Sequence, residues 1–355
     1  MSIDTQQPTA SVADEAPADS GATVPEDAAV GGFMSRFHQR GRSGFLGRYA
    51  LVGVWLAVAA VYAIIEPDVL LTSGTFQTIF GSQTALVFLG MAAVVTFAVG
   101  EFDLSISAIL GLSATFIPVM VVQHGWNPAV ASLVAVALCC GVGAVNGFIV
   151  VRLGIDPIVT TLGMGTLLLG LTSGFAGSQA VSGLSNSFSK VANTTVAFGL
   201  PISFFYGLAL ALLIAYLVRY TALGRHMTFV GANREVARLA GVHVTRIRIG
   251  AYVTSGLLCG VGGVLVTATI GGFDPNSSPT YLLPALSATF LGTAAVQPGR
   301  FNPIGTMIAI YFLVTGIVGL QLLGYTGWIS DVFYGAALIT AVIASTLTRK
   351  RALRV

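Results

Sequence analysis

The stretch that decides the fold runs from Ala129 to Val151, AVASLVAVALCCGVGAVNGFIVV, without a charged side chain and without alternation of apolar and polar positions. A helix needs about 20 such residues to cross the hydrocarbon core of a bilayer, whereas a membrane strand needs roughly half as many in alternating pattern. The stretch is a transmembrane helix. Runs at 49 to 65, 84 to 99 and 249 to 272 have the same character. The 355-residue chain is 55% apolar and only 9% charged, with a mean hydropathy of +0.85. A soluble domain carries about a quarter charged residues, so this composition leaves too little polar surface for a water-exposed globule. The fold class is an all-α membrane protein, a polytopic bundle.

From Tyr49 onward the apolar segments number ten, near 49 to 65, 78 to 99, 104 to 122, 128 to 151, 157 to 177, 200 to 218, 249 to 271, 281 to 296, 303 to 322 and 327 to 346. Short cytoplasmic loops collect Lys and Arg. With ten spans and the N-terminus inside, every one of the 17 lysines and arginines except Lys190 falls on the cytoplasmic side. Removing or adding a span would invert a later cluster, so both termini are expected in the cytoplasm. Residues 1–32 hold Asp4, Asp14, Glu15, Asp19, Glu26 and Asp27 with no Lys or Arg, the composition of a disordered acidic tail. They are followed by a basic juxtamembrane segment at 33–48, a transmembrane domain at 49–348 and a basic tail at 349–355. No apolar run follows the start closely enough for a signal peptide.

Two loops are long: an outer one, 178 to 199, and an inner one, 219–248, which contains Arg219, Arg225, Arg234, Arg238, Arg246 and Arg248. Within the inner loop Asn233 suits a helix cap, Glu235 a first turn and Gly241 a left-handed terminus. Val236, Leu239 and Ala240 then form one apolar face, with Arg234 and Arg238 at its rim. Asp156-Pro157 marks another helix start. Gly143 with Gly147, and Gly256 with Gly260, allow close helix approach in lipid. They lie in similar sequences, Cys140-Gly-Val-Gly-Ala-Val and Cys259-Gly-Val-Gly-Gly-Val, which this topology runs in opposite directions.

Several chemistries are excluded. The only lysines are Lys190 and Lys350, and neither lies in a phosphate-binding Gly-rich loop, so the chain is not itself a phosphate-loop ATPase. His38, His124, His226 and His243 fall in the tail or in loops and form no ligand pair, which leaves no metal site. No acid/base pair stands at one membrane depth, so no catalytic residue is assigned. Glu66, Asp68, Glu101, Asp103, Asp156, Asp274 and Asp331 sit near span ends, where they offer thin support for a proton relay. The interior carries neutral hydroxyls and amides, which suit a neutral, hydroxyl-rich solute.

The run Val99-Gly100-Glu101-Phe102-Asp103-Leu104-Ser105-Ile106-Ser107 resembles a motif of the ribose, xylose and autoinducer-2 group of sugar permeases. Three further blocks are similar to that family in the same order. They are Gly143-Ala144-Val145-Asn146-Gly147 with Ile155 to Gly163, then Leu223-Gly224-Arg225 with Gly231 to Val244, then Tyr281 to Ala285 with Gly299-Arg300 and Gly305-Thr306. The sequence departs from the family at Ser107-Ala108, Gln297-Pro298 and Phe301-Asn302. The resemblance implies the membrane subunit of an ATP-driven ABC importer in the plasma (inner) membrane of a prokaryote. It would pair with a second permease copy, bind ABC ATPase subunits that hold ATP and Mg, and receive a monosaccharide or similar polyol from an extracytoplasmic binding protein. The chain itself would bind no cofactor and is not an enzyme. Candidate pathway residues are Asp103, Ser105, Asn146, Thr160 and Thr161. Gly231, Asn233, Glu235, Val236, Leu239 and Gly241 would couple to the ATPase. Two other readings stand beside it: an ABC permease for branched-chain amino acids or nucleosides, and an ion-coupled carrier or channel.

Overall fold

A computed structural model describes residues 49–352 apart from 71 and 298. The acidic tail, the basic segment 33–48 and residues 353–355 of the basic C-terminal tail lie outside the described residues. Helices dominate: α1 Tyr49–Ile65, α2 Ser73–Phe80, α3 Thr84–Ala98, α4 Ile106–Pro118, α5 Pro128–Arg152, α6 Pro157–Phe175, α7 Asn186–Asn193 and α8 Ile202–Tyr220. They continue as α9 Ala222–Ala232, α10 Arg234–Leu239, α11 Val244–Ile270, α12 Leu282–Gly292, α13 Pro303–Leu322 and α14 Trp328–Ala352. A π-helical turn, Val119–Gln123, extends α4, and a 3-10 helix, Pro275–Tyr281, leads into α12.

Among the described residues, 7 helical lengths are long and apolar enough to cross a bilayer: Gly74–Ala98, Ile106–Gln123, Pro128–Arg152, Pro157–Phe175, Ile202–Tyr220, Val244–Ile270 and Pro303–Leu322. Tyr49–Ile65 and Trp328–Ile343 are shorter apolar helices. The segment expected at 281 to 296 is helical only over the 11 residues of α12. At about 1.5 Å per residue it is well short of the bilayer core. It stops because Asn302 folds back, its Nδ2 donating to the carbonyls of Gly292 and Ala295 at 3.0 and 3.1 Å.

Helix starts repeat one device, an Asx cap followed by proline. Asn127-Pro128, Asp156-Pro157 and Asn302-Pro303 open α5, α6 and α13, and Asp274-Pro275 opens the 3-10 helix. The carboxylate of Asp156 accepts from the amides of Ile158 and Val159 at 2.9 and 3.1 Å, as its sequence position foretold. Proline at the first turn forfeits no helical hydrogen bond.

The centre of the bundle is α3, buried along nearly its whole length, with α8, α11, α12 and α13 packed on it and α5 packed on α4 and α11 beyond. Each glycine pair sits against the other helix. A Cβ on Gly143 would lie 2.4 Å from the Tyr252 carbonyl oxygen, and one on Gly256 would lie 2.3 Å from that of Cys139. Gly147 abuts Ile249, and Gly260 abuts Val136. The two helices therefore cross antiparallel at backbone contact, each supplying the small residues the other needs. In lipid, where apolar burial drives little association, such contact and its dispersion energy hold helices together.

Loops gather at two ends. At one end, segments 99–105, 153–161, 221–243 and 293–302 meet, with the Phe97 ring 5.0 Å from Phe102 and 4.9 Å from Phe301. At the other, Val181–Ser182 pairs antiparallel with Gly272–Phe273, and Gln77 donates to the Gly199 carbonyl at 3.2 Å. Each group contains only loops that the charge pattern assigns to one side.

Candidate functional site

The chain between α3 and α4 is the irregular part of the bundle's interior. Gly100, at φ 75°, turns it out of α3, and residues 101–104 follow without regular secondary structure. Burial alternates along this stretch: Val99, Glu101, Asp103 and Ser105 are buried while Gly100 and Phe102 are exposed. Two carboxylates are thereby aimed into the protein with no exposed surface. Burying a charge is tolerated only when it is paired and hydrogen-bonded, so the partners of these two define the site.

Glu101 is held by charge. Its Oε1 accepts from Arg234 Nη2 at 2.9 Å and from Arg248 Nε, and its Oε2 accepts from the Tyr252 hydroxyl at 3.3 Å. Arg234 Nη2 also donates to the Gly100 carbonyl at 2.8 Å. The two cations differ in setting: the Arg248 side chain is 14% exposed and that of Arg234 is 45% exposed. Beside this cluster the backbones of Gly100 and Gly231 touch, and a Cβ on Gly231 would lie 2.3 Å from the Ala98 carbonyl oxygen.

Asp103 is held by hydroxyls and an amide. Its Oδ1 accepts from the Ser105 amide and hydroxyl at 3.0 and 2.6 Å, and its Oδ2 accepts from the Ser255 hydroxyl at 2.9 Å. The Ser105 hydroxyl in turn accepts from Asn146 Nδ2 at 2.9 Å. Asn146 Oδ1 has no partner among the described residues. The Leu104 amide donates to the Thr161 hydroxyl at 3.1 Å, which itself donates to the Pro157 carbonyl. The broken segment is thus stitched to α5 through Asn146, to α6 through Thr161, and to α11 through Arg248, Tyr252 and Ser255.

Four of the five pathway candidates from the sequence, Asp103, Ser105, Asn146 and Thr161, come together in this buried network. Thr160 does not join it; its hydroxyl donates to the Asp156 carbonyl of its own helix. Asp103 is more than a local cap, since its second oxygen ties α11. Glu101 was read only as a carboxylate near a span end. The signal that could have found it was its placement beside the arginines of 219–248 under the same charge-based topology.

The expected inner-loop helix is present as α10. Asn233 Oδ1 accepts from the amides of Glu235 and Val236 at 3.0 and 3.1 Å, and Gly241 closes the helix at φ 80°. Leu239 is 80% exposed and Val236 48%, with Ala240 exposed beside them, while Ala237 on the opposite side is fully buried. Arg238 stays at the rim, paired with Glu235 at 2.5 Å. Arg234 does not: it turns inward to Glu101, because a buried carboxylate is a stronger partner than solvent. An open groove of about 520 Å³ between α5 and α6 is lined by Val134, Leu138, Val142, Val145 and Met164 among others and offers almost no polar group.

This architecture, a helical membrane bundle with a broken element tied to a surface helix, defines a membrane permease. The chain belongs to the family described as branched-chain amino acid transport system / permease component, which matches residues 76–342. The D-allose transport system permease protein AlsC of Escherichia coli (strain K12) is 26% identical over 307 residues, covering 86% of this chain and 94% of that protein. The autoinducer 2 import system permease protein LsrD of Yersinia pseudotuberculosis serotype O:1b (strain IP 31758) is 30% identical over 258 residues, covering 71% of this chain and 77% of its own. LsrD of Yersinia pestis (strain Pestoides F) matches to the same extent. No solved structure matches the chain.

Proposed function

We propose that the chain is the permease subunit of an ABC importer that moves a monosaccharide or similar polyol, delivered by an extracytoplasmic binding protein, across the inner membrane of a bacterium. ATP hydrolysis belongs to separate ATPase subunits, and the chain works with a second permease copy. The reading places ten crossings in the membrane, the eighth made by α12 together with the 3-10 helix that leads into it, with both termini in the cytoplasm, the acidic tail 1–32 and basic segment 33–48 ahead of a permease domain at 49–348, and a basic tail at 349–355. One observation carries it: a capped helix, α10, exposes Val236 and Leu239 on a chain whose sequence lacks a phosphate loop. An apolar face beside charged residues fits a groove on a partner protein.

The solute class rests on relatives whose names specify D-allose and autoinducer 2, and on interior groups that are mainly hydroxyls and amides. The groove of this single chain is too apolar to satisfy a sugar's hydroxyls, so the pathway takes its other wall from a second copy. Asp103, Ser105, Asn146, Thr160 and Thr161 remain the pathway candidates. Gly231, Asn233, Glu235, Val236, Leu239 and Gly241 are the coupling residues.

The test is reconstitution in proteoliposomes with its cognate ATPase and binding protein, followed by uptake of radiolabelled D-ribose, D-xylose, D-allose and L-leucine. ATP-dependent uptake of a sugar but not of leucine is expected. The family description names branched-chain amino acids, so leucine uptake would replace the solute assignment, and uptake without any ATPase would replace the mechanism by an ion-coupled carrier or channel.

A further inference from the structure

Three features meet at Glu101. Arg234 is the first residue of α10, so any displacement of that helix carries its guanidinium along. One nitrogen of that guanidinium reaches both Gly100 O and Glu101 Oε1, at 2.8 and 2.9 Å, and the Gly100–Gly231 backbone contact keeps the two segments adjacent. Beyond Glu101 the irregular chain carries Asp103 onto the same buried side. Arg248, Tyr252 and Ser255, spaced by three and four residues on one face of α11, receive both carboxylates.

The division of labour between the two arginines is informative. Arg248, mostly buried, already neutralises Glu101, and Tyr252 adds a hydrogen bond. Arg234, half exposed, is a second cation on a carboxylate that one cation already neutralises. Its geometry instead connects a surface helix to the break in the bundle. A buried ion pair is poor evidence of net stabilisation and is better attested as a device that fixes position.

We infer that Arg234 and Glu101 form the joint that makes the break at 99–105 follow the 234–239 helix, so that they set how much solute moves for each ATP hydrolysed. Both are positioning residues. From the joint, movement passes along the irregular segment to Asp103 and Ser105, then to Asn146 on α5 and through Leu104 to Thr161 on α6. The inference rests on the permease reading above, and it adds the connection between the docking helix and the membrane interior.

The experiment uses the full importer in proteoliposomes and measures, for the same vesicles, ATP hydrolysis and uptake of the panel sugar that the wild-type complex accumulates. Arg234→Gln is the primary variant, because Arg248 and Tyr252 still hold Glu101 in it. Hydrolysis stimulated by the loaded binding protein is expected to stay within about twofold of wild type, while sugar moved per ATP falls about tenfold, within the range of coupling between distant sites. Arg234→Lys, which keeps a donor and a charge, restores part of that ratio. Glu101→Gln is expected to lower the ratio at least as far if it folds. An unchanged ratio in Arg234→Gln, or hydrolysis and uptake falling in proportion, overturns the joint. A wild-type complex that moves no panel solute with ATP overturns the permease reading instead.

Discussion

Arg234 spans 133 positions of sequence to donate to Glu101 at 2.9 Å, joining the first residue of a short surface helix to a carboxylate with no solvent exposure. The pair bridges two parts of the molecule that carry different tasks: α10 presents an apolar face outward, and the segment 99–105 interrupts the helical interior. The second arginine on the same carboxylate, Arg248, comes from α11, so one acidic side chain fixes three elements against one another.

The two arginines should differ in their effect on stability. Replacing Glu101 by Ala strands the mostly buried Arg248 and is expected to destabilise the permease by about 3–5 kcal/mol. Arg234→Gln removes only a half-exposed partner and should alter stability by under about 1 kcal/mol. Thermal unfolding of the detergent-solubilised protein measures both, and equal effects would show that Arg234 is an ordinary structural partner.

At the α5–α11 crossing, glycine substitutions should have opposite signs at neighbouring positions. Gly256→Ala places a methyl 2.3 Å from the Cys139 carbonyl oxygen, an overlap expected to destabilise by about 1–3 kcal/mol. A methyl at Gly141 meets nothing within 4 Å, so Gly141→Ala should be neutral or stabilising by up to about 1 kcal/mol, the helix preference of alanine over glycine. The same melting assay reads both, and matching losses would contradict the backbone contact.

Docking of the ATPase should depend on the outer face of α10 alone. Leu239→Asp changes a side chain that is 80% exposed, and surface changes of this kind stay within about 0.5 kcal/mol, yet it should abolish co-purification of the ATPase subunit. Ala237→Asp buries a carboxylate on the opposite side of the helix and should lower the yield of folded permease. Retained co-purification in Leu239→Asp would move the docking surface elsewhere.

The hydroxyls around the break should separate into two kinds. Ser255→Ala removes one of the hydrogen bonds to the buried Asp103 carboxylate and is expected to destabilise by about 1–3 kcal/mol. Thr160→Ala removes a hydroxyl bonded only to its own helix carbonyl and should leave stability unchanged. If sugar uptake by the reconstituted complex also survives Thr160→Ala, that residue leaves the pathway set.

What the sequence determined by itself was the medium and the order of the elements. Hydropathy and charge rarity demand helices in lipid, and backbone groups in lipid have no partner but their own helix, so α5, α6, α8, α11 and α13 follow from composition alone. Local chemistry fixed the Asp156-Pro157 start and the Asn233 to Gly241 helix, because caps are satisfied within a few residues of chain. Tertiary structure decided what lies far apart in sequence. The Gly143 and Gly256 pairs were visible as small residues, but the Tyr252 and Cys139 backbones they admit were set by the crossing of two helices. Arg234 read locally as a rim charge, and only the nearness of Glu101, set by the turn at Gly100 and the burial of Glu101 beyond it, drew it inward. Pairing of buried charges is a long-range choice made by the packed bundle, and no short window of sequence encodes it.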